Sequence, residues 1–122
     1  MLVARLKTFQ PLRIVKNDLK FYANWKSYDV NMVMFWISIS GTQMEAEDYA
    51  YTIKIMNSAE RRTKEMYPFT GKRGCVSCEV SHEDMMKSGN AVFLNKVMLE
   101  SAANENDGKS LKFECCLVIE KK

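Results

Sequence analysis

Apolar and polar side chains exchange faces at every residue through four long segments, and this two-residue repeat constrains the chain more than any other feature. Over 19–25, Leu19, Phe21, Ala23 and Trp25 fall on one side, with Lys20, Tyr22 and Asn24 on the other. Over 33–39, Val33, Phe35, Ile37 and Ile39 form one face, and Met32, Met34, Trp36 and Ser38 form the second. Segment 49–56 sets Tyr49, Tyr51, Ile53 and Ile55 against Ala50, Thr52, Lys54 and Met56. Near the end, Leu111, Phe113, Cys115, Leu117 and Ile119 alternate with Lys112, Glu114, Cys116, Val118 and Glu120. Such alternation, in segments rich in β-branched and aromatic residues, predicts half-buried strands. Shorter strand candidates are 12–15, 61–66 and 74–80.

The joints agree with strands. Asn17-Asp18, Ser27–Asp29 and Asn57-Ser58 have the composition of tight turns, and Asn104–Gly108 reads as a loop before the last strand. Thr42 and Glu45 are spaced as a capping box for a single helical turn. Ser81, with Asp84 three residues on, can start a short helix through Met86. From Asn95 to Ala103, Val97, Met98 and Ser101 recur at helical spacing with Asn95 as cap. The expectation is a mainly-β protein, an antiparallel β-sandwich with one or two short helices.

Length and charge narrow the classes. The 122 residues, 47% of them hydrophobic, suit one domain spanning 1–122. No apolar run approaches the ~20 residues that cross a bilayer, and no signal-peptide core follows Met1. Four cysteines, two of them adjacent, make a poor disulfide framework, so a reduced intracellular setting, cytoplasmic or nuclear, is expected. The net charge of +3 is too small to argue for nucleic acid as a partner. Its distribution is uneven, +4 over 1–30 and −3 over 31–60, but the N-terminal lysines alternate with apolar residues as on the wet face of a strand.

Chemistry-bearing constellations are sparse. Cys75-Val76-Ser77-Cys78 is the one motif of a metal-binding or redox type, with His82 four residues on. Zinc needs four ligands, and Cys75 and Cys78 differ in parity, so a regular strand would turn them to opposite sides. Alternation instead directs Val76, Cys78 and Val80 inward, as small hydrophobes. His82 is the sole histidine, leaving little from which to build a nucleophilic triad. The acidic residues Glu45, Glu47 and Asp48 lack an apolar setting that would raise a carboxylate pKa. With no glycine-rich phosphate loop either, no cofactor and no enzymatic activity are expected of this chain.

Met32, Met34 and Trp36 are the exception among apolar residues. They lie opposite a complete core face and would form an exposed patch unless another element covers it, so they are candidates for a homodimer seam or a partner interface.

The run Ile37-Ser38-Ile39-Ser40-Gly41-Thr42, the acidic turn through Ala46, and the strand from Tyr49-Ala50-Tyr51 to Ile55 resemble the substrate-binding domain of seven-in-absentia (Siah-type) ubiquitin ligases. Arg61-Arg62 stand where that family has a run of arginines. Ser88–Phe93, the helical segment 95–103, the Asn/Gly loop and the terminal strand follow the family order over roughly residues 32–122. The resemblance implies a TRAF-like sandwich that dimerises and binds extended peptides by strand addition. It makes Leu12, Arg13, Ile14 and Val15 the nearest match to the groove strand. That region is about one strand shorter than in the family, the tryptophan expected there is absent, and the segment 61–93 is longer. Ubiquitin transfer would belong to a RING domain, which this chain lacks along with the zinc fingers. The expected function is therefore protein or peptide binding, the alternative being a diverged scaffold or dimerisation module without degron binding.

Overall fold

The computed structural model describes residues 2–6, 12–16, 18–56, 69–96, 105–106, 111–112 and 114–122. In chain order the strands are β1 (Leu2–Leu6), β2 (Leu12–Lys16), β3 (Leu19–Ser27) and β4 (Met32–Ile39), followed by the single-turn helix α1 (Gln43–Ala46). Next come β5 (Tyr49–Met56), β6 (Phe69–Gly74), β7 (Val76–Ser77), helix α2 (His82–Lys87) and β8 (Val92–Asn95). The short β9 (Glu105–Asn106) and β10 (Leu111–Lys112) precede β11 (Glu114–Lys121). The protein is mainly β, as the alternation predicts.

Two sheets face each other. The first has the order β1-β11-β5-β6, and the second β2-β3-β4-β7 with β8 also paired to β4. β9 and β10 form a separate two-stranded ribbon; β9 falls in the stretch read from sequence as a loop, and β10 at the start of the segment read as the last strand. Pairing is antiparallel except for β7, which runs parallel to the end of β4 through Ser38↔Val76 and Ile39↔Ser77. The inward rows meet as expected: Phe21, Phe35, Ile37 and Ile39 from one sheet pack with Tyr51, Ile53, Ile55, Leu117 and Ile119 from the other. Each such side chain contributes about 1.5–3 kcal/mol on leaving water, before the entropy of ordering it.

Local chemistry fixes the joints. Between β2 and β3, Asp18 holds φ at +64°, a conformation aspartate tolerates better than most residues. In the β3–β4 loop, Asp29 Oδ1 accepts from the amides of Asn31 and Met32 at 2.7 and 2.8 Å. The capping box of α1 is complete: Thr42 Oγ1 accepts from the Glu45 amide and Glu45 Oε1 from the Thr42 amide, each at 3.2 Å. Ser81 caps α2 through the Asp84 amide at 3.1 Å.

Three expectations need correction or restriction. Segment 74–80 is not one strand: the chain leaves the first sheet at Gly74, joins the second at Val76, and turns away after Ser77. Cys75, Val76 and Ser77 are consequently all buried while Cys78 is exposed, opposite to the inward reading of Cys78. Asn95 ends β8 and Lys96 directly after it is helical, where the proposed helix would begin; the rest of that helix, like strand 61–66 and the Asn57-Ser58 turn, lies outside the described residues. The second face of β4 is not left bare. Met34 is 1% exposed, in a second cluster with Val76, Met85 and Ala91 against which Trp36, Val80 and Met86 also pack. Helix α2 thus forms a partial third layer over the second sheet. Among the described residues no helix is long and apolar enough to cross a membrane.

Candidate functional site

Two surfaces on the second sheet gather the residues of functional interest. The first is the edge strand β2. It pairs with β3 from Leu12↔Ala23 to Lys16↔Leu19 and, among the described residues, has no strand on its other side. The register sets Ile14 beside Phe21, and Ile14 packs partly buried on the main core. Arg13 is exposed and Val15 is 56% exposed. Of the quartet proposed for peptide binding, Arg13 and Val15 therefore turn to the outer face and Ile14 turns inward.

The second surface is a groove of about 360 Å³ on the outer face of β3 and β4. It opens where β4 changes neighbours. Met32–Phe35 pair with β8 and Ser38–Ile39 with β7, so Trp36 and Ile37 fall between the two ladders. Tyr22, Asn24, Trp36 and Ser38 supply the strand side of the groove, and Val76 and Ser77 extend it onto β7. The turn after β7 adds Cys78 and Val80, and α2 adds His82 and Met85. The His82 ring packs against Trp36, with centroids 5.7 Å apart and planes at 58°.

Hydrogen bonds hold this lining in place. Asn24 Nδ2 donates to the carbonyl of Tyr22 at 2.9 Å, to Ser38 Oγ at 3.0 Å and to the carbonyl of Trp36 at 3.3 Å. The Ser77 hydroxyl donates to Gly41 O at 2.5 Å, and its amide donates to Gln43 Oε1 at 2.9 Å, tying β7 to α1. Asparagine is disfavoured within strands, so Asn24 in the middle of a nine-residue strand was a visible signal that sequence reasoning did not use. Of the proposed interface residues, Trp36 lines the groove, Met32 is half-buried, and Met34 lies beneath α2.

The thiols and the histidine do not converge. Cys75 belongs to the main core, whereas Cys78 and His82 lie in the groove. No cluster of three or more His, Cys, Asp or Glu suited to a metal ion occurs among the described residues. Burial pushes the Cys75 thiol up to about 12, partly offset by the nearby Lys122 ammonium, so at neutral pH it is a protonated, unreactive core group. Burial likewise raises the Tyr51 phenol above its ordinary range, mainly by desolvation. Its hydroxyl donates to Asn90 O at 2.7 Å and lies 3.4 Å from Phe35 O.

Taken together, fold and surfaces define a two-sheet β-sandwich with a sheet edge that carries no further strand among the described residues and a groove on the outer face of the second sheet. The chain matches no protein-family model and no curated protein sequence.

Proposed function

We propose that this chain is a protein-interaction module of the Siah/TRAF-like type, which takes an extended segment of a partner along β2 and self-associates, in ubiquitin-linked turnover or as an adaptor. The outer side of β2, which carries no strand among the described residues, supports this reading: a terminal strand of a five-stranded sheet offers backbone donors and acceptors to an added strand. Arg13 and Val15 would contact alternate side chains of the partner from the outer face. Replacing Ile14 would damage the core, so the test uses the Arg13→Glu/Val15→Glu double variant. Affinity capture with the wild-type chain is expected to recover a protein partner that the variant loses at an unchanged melting temperature. Equal recovery by both chains, or no partner for either, overturns the strand-addition reading.

A scaffold or dimerisation module without peptide recognition is the second reading. It draws support from Tyr28 and Phe93, whose rings meet edge to face at 5.1 Å on the surface, and from Val30, 86% exposed in the same β3–β4 loop as Tyr28. Apolar side chains grouped in this way favour association. Sedimentation of the wild type against Phe93→Glu tests it: a dimer that the substitution dissociates supports this surface, and a monomeric wild type removes it.

A further inference from the structure

The groove beside Trp36 combines apolar walls with a polar floor, and among the described residues no carboxylate, lysine or arginine lines it. Both amide protons of Asn24 are spent on three acceptors within the protein, which fixes the amide and leaves Oδ1 without a donor among the described residues. Ser38 is 7% exposed and accepts one of those bonds, while its own hydroxyl proton has no acceptor among the described residues. The floor therefore asks its occupant for one uncharged group that both donates and accepts. The walls, formed by Trp36, Val76 and Met85, ask for an apolar body. At about 360 Å³ the space lies at the lower end of ligand-sized cavities, the scale of one large side chain.

Tyrosine alone among protein side chains joins an aryl body to a neutral hydroxyl that donates and accepts. Phenylalanine would leave the floor unpaired, and tryptophan donates but does not accept. Charged side chains would enter without a lysine, arginine or carboxylate to pair with among the described lining residues. A phosphotyrosine, bearing close to two negative charges, meets no lysine or arginine among the described residues of the lining, only the single imidazole of His82 packed against Trp36. We propose that this groove receives an unphosphorylated tyrosine side chain of a partner protein, and that phosphorylation of that tyrosine expels it. The groove is lined by outer-face side chains of β3 and β4, β3 being the strand next to β2, whereas strand addition uses the free backbone edge of β2, so this contact can fail while strand addition stands.

The test is a titration of the isotopically labelled full chain with N-acetyl-tyrosinamide, its phenylalanine counterpart and its phosphotyrosine counterpart. The signals followed are the Trp36 indole N–H and the Asn24 side-chain amide, with the Trp25 indole as internal reference. Expected results are saturable millimolar binding of the tyrosine compound, about fivefold weaker binding of the phenylalanine compound for one net hydrogen bond, and no binding of the phosphorylated one. Ser38→Ala should shrink the tyrosine-over-phenylalanine preference, a change that a purely structural role for Ser38 would not produce. Absence of a saturable shift at Trp36, equal affinity for the phenylalanine compound, or binding of the phosphorylated compound overturns the assignment. None of these results bears on β2, because the probes are too small to report strand addition.

Discussion

Removing the Tyr51 hydroxyl tests whether one phenol ties the two sheets together. Tyr51 rises from β5 in the first sheet, is 1% exposed, and stacks edge to face on Phe35 of β4 with centroids 5.6 Å apart. Its O–H donates to Asn90 O at 2.7 Å. In Tyr51→Phe the ring contact survives and no sizeable cavity forms, so the cost comes from the hydrogen bond. The net loss of such a bond is about 1 kcal/mol, and a part-buried carbonyl left without its donor brings the total to about 1–3 kcal/mol. For a domain of this length that corresponds to a fall in Tm of roughly 4–10 °C. Urea unfolding should show a lower midpoint at unchanged m, since the exposed surface is unaltered. Tyr22→Phe is the matched control: that hydroxyl is half-buried with no hydrogen bond among the described residues, and its loss should change stability by less than about 0.5 kcal/mol. Equal effects of the two substitutions, or a Tyr51→Phe cost below about 0.5 kcal/mol, would refute the bridging role.

Two further outcomes follow from buried groups. Because the folded Cys75 pKa is raised from 9.0 to about 12, its contribution is intact below pH 9 and is lost as pH rises from there toward 12. The slope is a little over 1 kcal/mol per pH unit, so urea midpoints between pH 8 and 11 should fall more steeply for the wild type than for Cys75→Ala; parallel curves would contradict this. Met85 is 2% exposed between α2 and the second sheet, so Met85→Ala should cost about 2–5 kcal/mol and speed amide exchange in α2. A cost below about 1 kcal/mol would mean that α2 does not hold the third layer.

Alternation made β3, β4, β5 and β11 legible because each is seven or more residues long and faces a single core. The strands it missed lack that length or that contrast. β6 contains Gly71, Lys72, Arg73 and Gly74, a composition that reads as a turn, yet it lies at a sheet edge where cations are tolerated and even protective. β8 offers only Val92 and Leu94 inward against Phe93 and Asn95 outward, too short a repeat to outweigh the helical spacing that follows it. The parity argument for Cys75 and Cys78 correctly separated the two thiols but put the wrong one inside. It assumed one strand, whereas the chain crosses between sheets at Cys75, and consecutive residues are buried by different layers. The Ser81 cap of α2 was visible locally. That α2 would land on Met34 was not, because that contact joins residues some fifty positions apart.

The groove follows from a mismatch of lengths. β4 has eight residues and, at about 3.3 Å per residue, spans roughly 26 Å. Helix α2 has six and, at about 1.5 Å per residue, covers roughly 9 Å. An outer face as apolar as Met32, Met34 and Trp36 needs more cover than one such helix supplies. Met34 takes that cover and is sealed, whereas Trp36 is left beside Asn24 and Ser38 at the fork between β7 and β8. A chain needing only stability could place lysine or threonine at position 36 with little cost to the sheet. Tryptophan there, above a polar floor with an unspent acceptor, is suited to contact with a partner side chain. By the same argument Trp36→Thr should abolish tyrosine-probe binding in a chain that still folds, with a modest loss of stability from the part of the indole packed on the α2 layer. A large loss of stability would instead make Trp36 a structural part of the third layer.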